Sequence, residues 1–333
     1  MKHPKTYVIA EMASSHDGSL DKARAIIDGA GNAGADAIQF QIWQHAEVVV
    51  PQHADYPVMK RIQLSQNDWT VLRDHVRQFF PHMQIIACIY EPESMRLADE
   101  IGCDAFKIHS ADLSNPTLLK AVARTGKRID LSVGGSTLAE IEAAVHTIGA
   151  CSESAIWLMY GLQLFPTDPT AIHLRYAKTL GDLFGLPVGY QDHSEPTSGA
   201  SLHLSATAIG MGIPVLEKHI THDRSLKGVD HQAALNPDEF ATFINMVREI
   251  DQAIGDSSPR PLSDAELRYR QYSKKSIVTV RELAPGETLC ADDLRFMRAP
   301  ETGLSPDRLD GILGRPTRVA IPAFGILSEE SVQ

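Results

Sequence analysis

Two short stretches of this chain end alike: VGYQDHSEP over residues 188–196 and VLEKHIT over 215–221. Each is an apolar run broken by charged side chains and an imidazole, Asp192-His193 in the first and Glu217-Lys218-His219 in the second. Neutral imidazoles ligate divalent metals, and two of them with coordination positions left open suit a catalytic rather than a structural ion. A single histidine at a strand end is more often a hydrogen-bonded or surface group, and the chain has 14 histidines. The weight therefore rests on joint placement. Other chemistry-bearing residues recur at the ends of apolar runs: Glu11 after YVIA, Lys107, His109 and Ser110 around DAFKI, Ser132 after RIDL, and Gln163 beyond AIWLMY. Gln39 and Gln41 alternate with Ile38, Phe40 and Ile42, which puts the amides on one strand face and the aliphatic groups on the other. A lysine, hydroxyls, amides and carboxylates grouped around two imidazoles can hold an anion and relay protons.

These residues act together only if the chain gathers them. Candidate strands cover 7–11, 36–42, 84–89, 104–108, 128–132, 155–160, 186–190 and 214–219, with helical periods between them. In LDKARAIIDGAGNAG the apolar Leu20, Ala23, Ile27 and Ala30 share a face and Gly34 follows as a stop. STLAEIEAAVHTIG offers Ser136 as N-cap, one residue too far from Glu140 for an ideal capping box. Eight such units predict an α/β fold, a (β/α)8 TIM barrel. The competing open doubly wound sheet is weakened by the absence of a GxGxxG after an early strand. In a barrel the C-terminal strand ends converge on one mouth, and the seventh and eighth strands are neighbours, so His193 and His219 would lie side by side. The barrel is expected over 1–255, closing with a helix begun by Asn236 and Pro237. The prolines and small polar residues of SSPRPLSD mark a linker over 256–273, and 274–333 reads as a small turn-rich domain with few helices.

Composition narrows the function classes. The chain has 333 residues, 43% of them hydrophobic and 22% charged, and 31 basic against 42 acidic residues give a net charge of −11. That balance argues against a nucleic-acid or anionic-membrane surface. Cys88, Cys103, Cys151 and Cys290 show no CxxC spacing, which fits reduced thiols. MKHPKTYVIAE enters a candidate strand at once rather than a leader, and no apolar run approaches the ~20 residues of a membrane span. A cytoplasmic location is expected.

The segments AEMASSHDGSLDKARAIIDGAGNAGADAIQFQ, FKIHSADLSNPTLL, LSVGGSTLAEIEAAV, GYQDHS, LEKHIT and VDHQAALNPDEF together resemble the sialic acid synthases, the N-acetylneuraminate synthase family. SIVTVRELAPGETLCADDLRFMRAPETGL is similar to that family's C-terminal SAF domain, a β-clip, antifreeze-like module. The resemblance implies condensation of phosphoenolpyruvate with an amino-sugar aldehyde such as N-acetylmannosamine, giving a nine-carbon 2-keto acid and phosphate. It implies a divalent metal at His193 and His219, usually manganese, with magnesium or cobalt as alternatives. It further implies Glu11 and Asp192 as catalytic carboxylates. Lys107, Ser110, Ser132, Gln39, Gln41, Asp112, Gln163 and Gln191 would contact substrate. Arg298, in MRAP, would reach the barrel of the other subunit of a homodimer.

The chain departs from the family pattern at several of these positions. Gln39 stands where a lysine is usual, Ile89 where a threonine is, Gln191 where a serine is, and Asp112 where a glutamate is. Gln163 and Phe165 replace an asparagine and a tyrosine. Charge-assisted hydrogen bonds contribute about 1.5–3 kcal/mol each, so losing a cation and two hydroxyls near an anion matters. Lys218 is one basic residue that would compensate. Two alternatives to the sialic-type synthase stay open: the same barrel and metal site rebuilt for a different anionic donor or sugar, and a non-catalytic sugar-binding relative.

Overall fold

The computed structural model describes residues 5–332. Its first unit, ending at Ser257, is built on eight parallel strands: β1 (Tyr7–Glu11), β2 (Ala37–Ile42), β3 (Gln84–Ile89), β4 (Ala105–Ile108), β5 (Arg128–Ser132), β6 (Ile156–Tyr160), β7 (Val188–Asp192) and β8 (Val215–His219). They hydrogen-bond in sequence order, and β8 returns to pair with β1, closing a barrel. One main helix follows each strand: α1 (Leu20–Ala33), α2 (Gln66–Phe79), α3 (Pro92–Glu100), α4 (Pro116–Ala123), α5 (Leu138–Gly149), α6 (Leu174–Phe184), α7 (Ala200–Gly210) and α8 (Pro237–Ile254). The (β/α)8 expectation holds.

Strand alternation sorts the core. Val8, Ala10, Ile38, Phe40, Ile85 and Ala87 point outward and pack with the helices in the main apolar cluster. Ile9, Ala37, Ile86, Ala105, Met159 and Val215 form a separate apolar layer inside the barrel. The next inward position is polar on six strands, Glu11, Gln39, Lys107, Ser132, Gln191 and Glu217, and that is where a site can be built.

Helix ends follow readable chemistry. Ser19 caps α1 by accepting from the Lys22 amide, and Gly34 closes it at φ 88°, as the sequence indicates. The N-cap of α5 is Thr137, not Ser136. From Thr137, Glu140 sits at the ideal third position, and both capping-box bonds form. Asn236 and Glu239 make the same box on α8, which buries Phe240, Phe243, Ile244 and Val247. Burial of each such side chain is worth about 1.5–3 kcal/mol.

The second unit starts at Ser258. The segment read as linker contains a helix, α9 (Asp264–Ser273), because Ser263 and Glu266 form a further capping box and Arg260 pairs with Glu266. None of its residues is buried. Beyond it, β9 (Lys275–Thr279) pairs antiparallel with β10 (Leu294–Arg298), and isolated bridges such as Leu283–Ile321 tie the turns together. This unit has its own core, centred on Ile277, Leu283, Leu289, Leu294, Ile321 and Leu327. Among the described residues no helix is long and apolar enough to cross a membrane.

Candidate active site

A cavity of about 510 Å³ opens at the C-terminal ends of the barrel strands, lined in part by Glu11, Gln41, Lys107, Gln163, Gln191, Glu217, His193 and His219. Its rim comes from the loops that follow the strands: Ser14, Trp43, Tyr90, His109, Phe165 and Asp230, with Asp55, Val58, Met59 and Ile62 from the long connection after β2. Catalytic groups gather at this face of a barrel because loops can vary there without disturbing the strands beneath.

The floor is a small ionic network. Lys107 Nζ donates to Glu217 Oε1 at 2.5 Å and lies 3.7 Å from Glu11 Oε2, all three side chains being at most 5% exposed. Gln191 donates through Nε2 to the same Glu217 oxygen at 2.9 Å, while its Oε1 accepts from Ser132 Oγ at 2.9 Å. The backbone must come close for this to form, since a Cβ on Gly161 would collide with the Gln191 carbonyl and side chain. Burial pushes Glu11 up to about 8, with Lys107 opposing the rise and Glu217 adding to it. Burial alone would lower Lys107, but Glu217 and Glu11 raise it and keep it a cation. Among the described residues it is the one Lys or Arg lining this cavity.

His193 and His219 meet as expected from adjacent strands, with ring centroids 5.1 Å apart and planes at 71°. Burial holds both below the usual imidazole value, His219 well below, so both are neutral near pH 7. His193 Nδ1 sits 2.6 Å from the Leu162 carbonyl oxygen. Donation there places the proton on Nδ1 and leaves Nε2 a free lone pair. His219 Nδ1, Glu11 Oε2 and Glu217 Oε2 are buried without a hydrogen-bond partner. Buried acceptors left unpaired are costly, and neutral imidazoles with free lone pairs are what a divalent cation needs. The residues fit such an ion. No group of three or more His, Cys, Asp or Glu is gathered as a ligand set among the described residues. Two imidazoles would therefore leave other coordination positions to water or substrate.

Several expected residues fall elsewhere. Asp192 does not line the cavity: alternation along β7 turns Gln191 inward and Asp192 outward, where its carboxylate meets Lys218. Lys218 is thereby engaged and supplies no cation to the floor. Gln39 points into the barrel below the cavity, fully buried, with neither amide atom hydrogen-bonded. Ile89 packs in the apolar layer between barrel and helices, so the replaced threonine removes nothing from the cavity wall. Ser110 and Asp112 lie in a one-turn 3-10 segment after β4 and do not line the cavity, and Asp112 accepts from Asn115. Arg298 is on β10 of the second unit, beside a groove lined by Met297, Pro300 and Phe324.

Glu217 joins the site although the motif pattern alone does not single it out. Its signal is present in the chain: it stands two before His219 and so shares the inward face of β8. Tyr90, Trp43 and Asp230 carry no periodic signal, because loops place them.

The model of the NeuB family matches residues 26–259, and that of the SAF domain matches 274–329. N,N'-diacetyllegionaminic acid synthase of Campylobacter jejuni is 30% identical, over 93% of this chain and 95% of that one. An uncharacterised protein of Methanocaldococcus jannaschii is also 30% identical, over 94% of this chain and 90% of its own. Among solved structures, the sialic acid synthetase of Leptospira borgpetersenii superposes with a TM-score of 0.72 at 28% identity, covering 80% of this chain and 92% of that one. The chain belongs to the NeuB family and carries a SAF domain after its barrel.

Proposed function

We propose that the chain is a synthase that condenses phosphoenolpyruvate with an amino-sugar aldehyde, N-acetylmannosamine or a related 2-acetamido sugar, to give a nonulosonic acid and phosphate. The observation that carries this reading is the neutral pair His193 and His219 facing the Lys107–Glu217–Glu11 floor across one cavity. A divalent cation, manganese first and magnesium or cobalt next, would be held by the two imidazoles and would supply Lewis-acid polarisation of the aldehyde oxygen. Lys107 attracts the anionic donor, while Ser132, buried behind the cavity wall, holds the Gln191 amide in place beside it. The donor's methylene carbon forms the new bond to the aldehyde carbon, leaving positive character at the carbon that bears the phosphate oxygen. Glu217 stabilises that charge, and an unpartnered oxygen of Glu11 or Glu217 orients the water that adds there. The adduct then loses phosphate by cleavage of its carbon–oxygen bond. Homodimer assembly, a contribution of Arg298 to the partner's site, and a cytoplasmic setting belong to the same reading.

A second reading rests on one observation. Gln191 spans Ser132 and Glu217, and Lys107 is the one cation lining the cavity among the described residues. A floor so arranged fits a donor anion smaller or less charged than phosphoenolpyruvate. Phosphate release separates the two. With Mn2+ present, release that needs both phosphoenolpyruvate and one member of an aldehyde-sugar panel supports the synthase. Absence of release across the panel, together with no calorimetric heat from phosphoenolpyruvate, favours the second.

A further inference from the structure

Each proposed ligand has an ion-paired neighbour in the chain: Asp192 precedes His193, and Lys218 precedes His219. Alternation sends the imidazoles to the cavity and the charges to the opposite face of the sheet. There Asp192 and Lys218 are register partners across β7 and β8, with Nζ and Oδ2 2.8 Å apart and neither side chain more than 1% exposed. The rest of the carboxylate is also occupied. Oδ1 accepts from the Ser194 amide at 2.9 Å and from Tyr190 Oη at 3.2 Å, and Oδ2 accepts from Ser205 Oγ at 3.2 Å. Ser205 belongs to α7, the helix that crosses from β7 to β8, so one carboxylate joins both strands and their connection. Lys218 Nζ also reaches Ser194 Oγ at 3.4 Å, beyond His193.

Such a pair is a poor choice if stability alone is at stake. Removing two charges from water is costly, and well-packed apolar replacements are often neutral or stabilising. An apolar pair cannot reproduce direction, however. Five hydrogen bonds and ionic contacts on Asp192 and Lys218 fix the backbone immediately before both imidazoles. Metal–ligand distances tolerate only about ±0.2 Å, so a small slip of β7 against β8 would spoil a shared ion.

We infer that Asp192 and Lys218 are positioning residues, set behind the strands to fix the separation and angle of His193 and His219 for a shared divalent cation. This rests on the reading of the two histidines as ligands. The probe is Co2+ titrated into the full chain, followed by calorimetry and by its visible absorption, with thermal melts in parallel. Asp192→Asn and Lys218→Met each leave a buried charge or polar group unpaired and lower Tm. The double variant Asp192→Asn/Lys218→Met removes both charges, keeps an amide oxygen for the Ser194 and Tyr190 donors, and regains most of the lost Tm. It nevertheless binds Co2+ at least ~10-fold more weakly, with a changed absorption band, as losses of outer ligand support do. A refolded double variant with wild-type affinity and spectrum overturns the inference. Lys218→Arg keeps the charge and alters its reach, so it gives the same test should the double variant melt early: a stable Lys218→Arg protein with unchanged Co2+ affinity also overturns it. Failure of the ligand reading is distinguishable, since wild-type and His193→Ala proteins would then bind Co2+ equally, and both claims fall.

Discussion

Replacing Lys107 by methionine keeps the length of the side chain and removes its charge. Its ammonium faces Glu217 at 2.5 Å and Glu11 at 3.7 Å, with the lysine side chain 5% exposed. Breaking a buried pair from one side costs about 3–5 kcal/mol, because the partner charge is stranded. Part of that is recovered here, since Glu11 is already pushed up to about 8 and can stay protonated. We therefore expect a loss of roughly 3 kcal/mol near pH 7, or about 6–12 °C in Tm for a barrel of this size. The sign with pH follows from linkage. A carboxylate whose folded value lies above its unfolded 4.5 holds a proton in the native state that the unfolded chain has released. Its burden on stability is therefore absent below 4.5 and grows as pH rises towards the folded value. The Lys107→Met deficit should shrink between pH 7 and pH 5, and the added change Glu217→Gln should recover most of it. Chemical denaturation of the three proteins at both pH values measures this. A deficit below ~1 kcal/mol, or one equal at both pH values, would refute the claim that Lys107 balances the buried Glu217 carboxylate beside Glu11. The same substitution should lower kcat/KM for the anionic donor by about 10- to 150-fold, from the 1.5–3 kcal/mol of a charge-assisted bond.

Other outcomes follow from neighbouring residues. Gln191→Ser frees Ser132 and opens the floor, so calorimetry should show several-fold tighter phosphoenolpyruvate binding; weaker binding would mean that the amide itself contacts the donor. Burial holds His16 and His109 down at about 4 and lowers His193 and His219. The unfolded chain takes up protons near 6.5 and the native state does not, so stability is full above pH 6.5 and is lost as pH falls towards 4. Melts of chelator-treated protein across that range should drop steeply, and a flat profile would contradict the burial of neutral imidazoles. Chelation should abolish turnover reversibly, and His219→Ala should bind Mn2+ at least ~10-fold more weakly by calorimetry; unchanged affinity would remove His219 from the ligand set. Gly161→Ala should lower Tm and weaken donor binding together, because its Cβ would strike Gln191, and a neutral result would show that the loop moves freely.

The barrel was legible because period-two and period-3.6 patterns alternate so regularly from Tyr7 to Ile254. The apposition of His193 and His219 followed from that topology alone, since the seventh and eighth strands must be neighbours. Facing was harder to read. Asp192 and Lys218 stand beside ligand candidates in the chain, yet one residue of offset on a strand reverses the face, and that reversal took both out of the cavity. Glu217 is legible by the same rule, because two residues of offset from His219 restore the face. Thr137 and Ser136 differ by one residue, and only the reach to Glu140 decides which caps the helix. The helix at Asp264–Ser273 was hidden by Pro259 and Pro261 just before it, although Ser263 and Glu266 carry a capping-box signature. The loop residues of the rim had no such signature, because non-local contacts place them.

The most direct test of the central claim is the fate of the bridging oxygen in a metal-loaded turnover. Phosphoenolpyruvate labelled with 18O between carbon and phosphorus is incubated with the full chain, Mn2+ and the sugar that supports phosphate release. The account predicts one nine-carbon 2-keto acid per phosphate, with the label found by mass spectrometry in the phosphate. Label retained in the organic product, or phosphate formed without a new carbon–carbon bond, would contradict it.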